Sequence, residues 1–442
     1  MGTSAAEAST ILLSPRPLAR TAGKFLLLPL LPHRPVMKPL PPEVWSKILA
    51  YVFGHYEGAE LCKSHRQERE QLRRGLLVVS KELKNVALPL FYEHVCIASL
   101  PCLERFTDHV CQSDKKWDSI RRIPYSTPGR WVQDLDMREL ETATWCEMYR
   151  VDTLLTQLCP LLPFLARLAI SPSLTLSRRA ATALSYRTEV AYLRVLKGIK
   201  LETSAHVSED HFVELLRPCV NLEELTLIGS GVDATELELP GEPDGAVAVK
   251  PLHLPHLRKL VMLSLPCSPV LFALLHSPLP SLRHLTITPY DESFVPMSIV
   301  PHFIYAHGET LTSLHLYTTK TWPSMLLPSP TTLLQSCPNL YHLSLENPLP
   351  ALKMFKDDPP HPLHILSIPR PYPDFLAVHD TILPKLSSLK VVRARDVRWL
   401  RPGMSLRAQQ AGVQGEMVEW RRRLSRKGIQ VLDSEWKSGH EI

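Results

Sequence analysis

The chain has 442 residues, 45% hydrophobic and 21% charged, with 50 basic against 44 acidic side chains and a net charge of +6. That apolar share excludes wholesale disorder, and so mild a charge excess gives no reason by itself to expect a nucleic-acid partner. Forty-one prolines beside 17 glycines exclude collagen and any long coiled coil, so the elements must be short and often stopped. Leucine, at about one residue in six, says what those short elements are made of. The length allows two to four domains or one repetitive array.

Residues 1–36 carry Arg16, Arg20, Lys24 and Arg34 against the single acid Glu7. They read as a disordered, proline-punctuated extension, with mitochondrial import as the alternative and Met37 as an alternative start. The longest apolar run, Phe25–Leu31, is broken by Pro29 and falls short of the ~18 residues a membrane span needs. The nine cysteines are scattered and form no C-x-x-C pair, so buried thiols in a reducing compartment are expected in place of disulfides or a zinc module. The expected location is the cytoplasm, the nucleus or both.

From Leu40 the pattern is helical. Pro41 and Pro42 suit a helix start and Glu43 complements the dipole of the first turn. Val44, Trp45, Ile48, Leu49, Tyr51 and Val52 then form a broad apolar stripe at 3.6-residue spacing. After a polar stretch over 54–74, a second helical run from Leu76 carries Leu83, Val86, Ala87 and Leu90 on one side. So small a module cannot bury all of that surface alone.

These two runs resemble an F-box, which reads L-P-x-E-[LIV]-x-x-x-I-[LF] and then V-[CS]-[KR]-x-x-x-x-[LV]-[AS]. The matching residues are Leu40, Pro41, Glu43, Val44, Ile48 and Leu49, then Val79, Ser80, Lys81, Val86 and Ala87. The resemblance implies that Leu40, Pro41, Val44, Ile48, Leu49, Val79 and Leu83 dock on a Skp-type adaptor and through it reach a cullin. Two departures stand out: Leu83 replaces the family's usual aromatic, and the gap between the halves is longer by about 15 residues, an extension that loop-closure entropy penalises only weakly.

Beyond a basic connector, L-x-x-L-x-L with apolar substitutions recurs ten times, starting at Val132, Leu165, Val190, Leu222, Leu257, Leu282, Leu311, Leu340, Leu363 and Leu386. The mean spacing is about 28 residues, inside the range of leucine-rich repeats. Each match should end in a short strand whose leucines face a helix layer. Several are preceded by a short helix and a Cys/Pro turn, as in Pro218-Cys219-Val220-Asn221-Leu222 and Cys337-Pro338-Asn339-Leu340. An exposed loop is expected over 232–255. A helix over 416–424, with Trp420 and Leu424 inward and Arg421–Arg423 outward, should close the array together with a strand at 429–432.

The expected fold is therefore α/β. Residues 1–36 are an extension, 37–96 an F-box-like helical module, and 97–130 a connector. Residues 131–400 form a leucine-rich solenoid, or horseshoe, of about ten strand–helix repeats, capped by 401–442. The combination resembles the F-box/leucine-rich-repeat proteins of fungi, which implies a non-enzymatic substrate receptor of a Skp–cullin–F-box ubiquitin ligase. A leucine-rich scaffold without ubiquitin is the alternative, and a nucleic-acid binder using Arg393, Arg395, Arg398, Arg401 and Arg421–Arg423 is a third. No phosphate-binding, zinc-protease or nucleophile-elbow motif occurs, and neither a metal, a cofactor nor a membrane partner is expected. Between the strand anchors, the concave face would offer Glu224, Lys259, His284, His315, Tyr317, His342 and Glu346 to an unidentified target protein. A merely solvated face is the expected reading for His284, His315 and His342; the alternative is one shared patch whose protonation near pH 6.5 would alter a partner's affinity.

Overall fold

The computed structural model describes residues 20–21, 24–25, 40–53, 71–115, 128–186, 190–201, 211–231, 250–289, 298–318, 332–346, 352–355, 358–370, 382–399 and 413–438. The chain divides into two compact units, Met1–Glu57 and Gly58–Ile442. In the first, Arg20–Thr21 pairs antiparallel with Lys24–Phe25, within the stretch expected to be an extension, and α1 spans Pro42–Val52.

The second unit is built on a twelve-stranded, wholly parallel sheet whose spatial order follows the chain. Its strands are β1 His94–Cys96, β2 Asp134–Met137, β3 Arg167–Ile170, β4 Val195–Lys200, β5 Glu224–Ile228 and β6 Lys259–Leu263. They continue as β7 His284–Ile287, β8 Ser313–Leu316, β9 His342–Ser344, β10 Ile365–Ile368, β11 Val391–Ala394 and β12 Gln430–Leu432. Strands β2 to β11 fall at the ten leucine motifs, eight of them in the expected register; at Val190 and Leu386 the buried row runs through Leu196 and Val392, three residues later than the expected anchors Leu193 and Leu389, and Val195 and Val391 face the other way. Helix α2, Lys81–Glu93, leads directly into β1; parallel neighbours then need a crossover, and helices supply many of them: α3 Leu100–Lys115, α4 Trp145–Leu158, α5 Arg178–Ser185, α6 His211–Leu216, α7 Pro269–Leu275, α8 Val300–His307, α9 Leu333–Ser336 and α10 Val413–Ser425.

The register explains the leucine content. Val95, Leu135, Leu168, Leu196, Leu225, Leu260, Leu285, Leu314, Leu343, Leu366, Val392 and Val431 are paired one to the next across the whole sheet. All but the half-buried Val95 are inaccessible to solvent. Burying each leucine contributes roughly 2 kcal/mol. Because side chains alternate along a strand, fixing this row also fixes which residues face the other way.

A recurring backbone device ties each strand to the last. The carbonyl just before a strand accepts two N–H groups from the next repeat: Gln133 from Ala166 and Arg167, Arg258 from Arg283 and His284, Thr312 from Tyr341 and His342. The Asn of the two Cys/Pro turns adds a side-chain bond to the preceding repeat, Asn221 to the Ala191 carbonyl at 2.9 Å and Asn339 to the Glu309 carbonyl at 2.8 Å. One irregularity interrupts the ladder between Leu196 and Ile199. Gly198 there has φ +79, and a Cβ would collide with the Ile170 carbonyl, so the bulge requires glycine.

The structure revises two boundaries. The sheet begins at His94, not near residue 131, so the last residues of the expected F-box module form its first strand. The expected connector contains the 16-residue helix α3, anchored by buried Leu103 and Val110. A three-residue strand with no leucine motif left no mark in the sequence. The thiols also differ from expectation: Cys159, Cys219 and Cys337 are buried, whereas Cys96, Cys102, Cys146 and Cys267 are exposed. At the other end Met417, Trp420 and Leu424 of α10 are buried and β12 pairs with β11, as expected of a cap; Arg422 and Arg423 are exposed, but Arg421, expected outward with them, is half-buried over the Trp399 ring at 5.2 Å. The expected loop lies, over 232–249, outside the described residues, as do residues 54–70 and Arg401. No described helix is long and apolar enough to cross a membrane.

Candidate functional site

Two surfaces carry the residues singled out above. Leu40 and Pro41, just before α1, and Val44 and Ile48 on it are exposed, as are Trp45, Tyr51 and Val52. Leu49 does not belong with them: it is 2% exposed and buried, as are Ala50 and Phe53. Leu49 is five residues past Val44 and two before Tyr51, which puts it on the far side of the helix from both. In the second unit, Val79 is exposed and Leu83 half-buried. Ser80 has a definite local role as the N-cap of α2, its hydroxyl accepting the Leu83 N–H at 3.1 Å.

The second surface is the sheet face opposite the leucine row. Toward β1 it is a ladder of compensating charges. His94 Nδ1 lies 3.2 Å from Asp134, and Arg167 Nε is 3.3 Å from the same carboxylate oxygen. Lys197 reaches Glu224 at 2.8 Å, and Lys259 is paired in register with Glu224 on its other side. Burial pushes the Glu224 carboxyl up, but Lys197, Lys259 and Arg167 outweigh it and hold the group below its usual range. Asp136 is taken by Arg138 at 2.9 Å.

Toward β12 the same face changes character. Register puts His284, Ser313 and His342 in one row, and His315, Ser344, Ser367 and Arg393 in the adjacent one. The rings of His315 and His342 meet edge to face at 4.9 Å, and His342 Nε2 lies 2.9 Å from Ser367 Oγ. Arg393 stacks on Trp436 at 4.3 Å and donates to the Ser434 carbonyl at 2.6 Å. Arg395 is paired with Glu346, whose carboxyl burial raises against the pull of that arginine. Tyr317, just beyond β8, is exposed.

The three histidines thus share a face as expected, with His284 one strand further from the touching pair. Their protonation does not follow the alternative of a switching patch. Burial first, then Arg395 and Arg393, drive His315 down to about 4; burial, His315 and the same arginines do the same to His342. Both rings are neutral at pH 6.5, so this patch does not switch there. Sequence reasoning missed the partners that cause this. Arg393 and Arg395 were read as possible nucleic-acid contacts, although V-V-R-A-R alternates like its neighbouring strands and so places both on this face. Trp436 follows the last strand and carries no repeat signal.

Elsewhere, buried His361 bonds the Cys337 carbonyl at 3.0 Å and His364 stacks on Tyr341 at 4.5 Å. Among the described residues no group of three or more His, Cys, Asp or Glu side chains is arranged to hold a metal ion. The chain matches no family model. No curated protein matches it either.

Proposed function

We propose that this chain is a substrate-receptor subunit of a Skp–cullin–F-box ubiquitin ligase, with its N-terminal helical segments binding the adaptor and the open face of its sheet binding a target protein. The observation that carries the reading is the set of exposed apolar side chains at the start of and along α1: Leu40, Val44 and Ile48, positions of the F-box pattern, stand in solvent together with Trp45 and Tyr51. Exposed apolar side chains of this kind favour a protein partner. The two halves of the pattern are followed by twelve regular strands that offer a long, side-chain-rich surface. In this reading the chain contributes proximity: holding a target near a transfer centre raises its effective concentration, and other subunits supply the chemistry.

Co-purification of the full-length chain with a Skp-type adaptor tests the proposal, with a Pro41→Ala, Ile48→Asp double variant as control. Stoichiometric capture by the wild type and its loss in the variant are expected. No capture by a folded wild-type chain would leave a leucine-rich interaction scaffold and remove ubiquitin from the account.

A further inference from the structure

Small and large side chains alternate across the β8–β11 end of the open face. Ser344 and Ser367 are paired in register and both are 0% exposed, so they form a low floor. On one side stand the His315 and His342 rings, on the other Arg393 and Arg395. Several polar atoms here find no hydrogen-bond partner within the chain: His315 Nε2, Ser344 Oγ, and the Nε of both arginines. Buried donors without acceptors are costly, and the cost is relieved by anything that brings oxygen lone pairs to them.

The two arginines are engaged differently: Arg395 is ion-paired with Glu346, whereas Arg393 donates to the Ser434 carbonyl. Lys259, two strands before His315, adds positive potential. Two acids bear on the site from its far side, Asp396 on Glu346 and Asp433 on Arg393. Asp433 is already engaged, its carboxylate accepting the N–H groups of Trp399, Glu435 and Lys437. Glu346 itself shows that carboxylate oxygens fit beside Arg395.

We propose that this serine-floored basin is an oxyanion-binding site, taking a carboxylate or a phosphoryl group, in which Arg393 and Arg395 supply the charge, His315 and His342 supply further N–H donors, and Glu346 is the internal competitor. Guanidinium groups suit either ligand, since their fork of N–H donors matches paired oxygens. An arriving anion of higher charge also recruits protons onto the two rings, so its affinity rises as the pH falls from neutral toward 5. The proposal deepens the target-binding half of the function above, but its test uses no adaptor, so failure of adaptor capture leaves it intact.

The test titrates the full-length chain with sodium sulfate, phosphate or acetate against chloride at equal ionic strength. Thermal midpoint and the histidine ring signals are followed by calorimetry and NMR. A saturable rise in midpoint is expected, with the His315 and His342 pKa values moving up by about one unit, which corresponds to about tenfold tighter anion binding to the protonated form. Saturation with sulfate and phosphate alone assigns a phosphoryl group; saturation with acetate as well assigns a carboxylate. Arg393→Gln should abolish the saturable response. Glu346→Gln, which removes the competitor, should bind severalfold more tightly, and this arm decides the matter if Arg393→Gln does not fold. A linear, unsaturated response that is the same in wild type and Glu346→Gln, with unmoved histidine signals, would overturn the proposal as a general salt effect.

Discussion

The two ends of the open sheet face are made from the same kinds of side chain and behave differently. Toward β1, acids and bases alternate between adjacent strands, so Asp134 serves His94 and Arg167, and Glu224 serves Lys197 and Lys259. Toward β12, two arginines and two imidazoles stand together around the Arg395–Glu346 pair, and burial leaves several of their polar atoms short of partners. The leucine row beneath is continuous through both. Regular repeats thus fix where outward side chains sit, while the order of their charges decides whether a stretch of face is self-satisfied or receptive.

The first way to break this comparison is to disturb what the two ends share. Leu225→Ala and Leu343→Ala, both at wholly buried positions of the leucine row, should each cost about 3 kcal/mol by denaturant unfolding. Unequal losses would mean that the core, and not only the face, differs between the ends. Next come the ion pairs. Arg395 and Glu346 are both 17% exposed, whereas Lys197 and Glu224 are both 34% exposed. Removing one partner of the more buried pair by Glu346→Gln should cost about 3 kcal/mol. Lys197→Met should cost below about 1 kcal/mol, because its pair is better solvated. Equal costs would erase the proposed contrast in environment.

Acid titration sharpens the contrast further. His315 and His342 are held at about 4 in the folded chain, below their ordinary 6.5, so the unfolded chain binds protons first as the pH drops. The stability they confer is complete above pH 6.5 and is lost progressively between about 6.5 and 4. Buried His307 and His361, also shifted downward by burial, add to the same trend. A His315→Gln, His342→Gln variant should flatten that slope, retaining on the order of 2 kcal/mol more of its neutral-pH stability at pH 4.5 than the wild type retains. An unchanged slope would show the rings to be solvated. The smallest effect is expected at Tyr317, whose exposed ring can become alanine with a change within about 0.5 kcal/mol.

How far the sequence foretold this depends on the element. Most motif strands were legible because leucine at every second position is both the burial signal and the strand period, as at Leu225 and Leu227; where Gly198 or Ala394 stands in the second place the period lapses, and the sequence put the register three residues early. His94–Cys96 was not legible, since three residues carry no period and only the neighbouring Asp134–Met137 makes them a strand. The histidine row was legible from equal offsets after successive leucine motifs. The pairing of Arg395 with Glu346, 49 residues apart, was not, because it depends on how many residues of register each crossover consumes. Leu49 was misassigned for a related reason: a six-residue apolar stripe is wider than one face, and only packing decides which part of it is hidden.

The doubly used carbonyl before each strand has a further consequence. Each repeat is fastened to its immediate predecessor and successor, and to little beyond them. Opening should therefore begin where a rung has a neighbour on one side only, and move inward rung by rung. Amide exchange would register this as a gradient, quickest at β1 and β12 and slowest near β6 and β7. The serine-floored basin lies on the outer half of that gradient, so whatever fastens Arg393 to a ligand would also slow the fraying of the end that holds it.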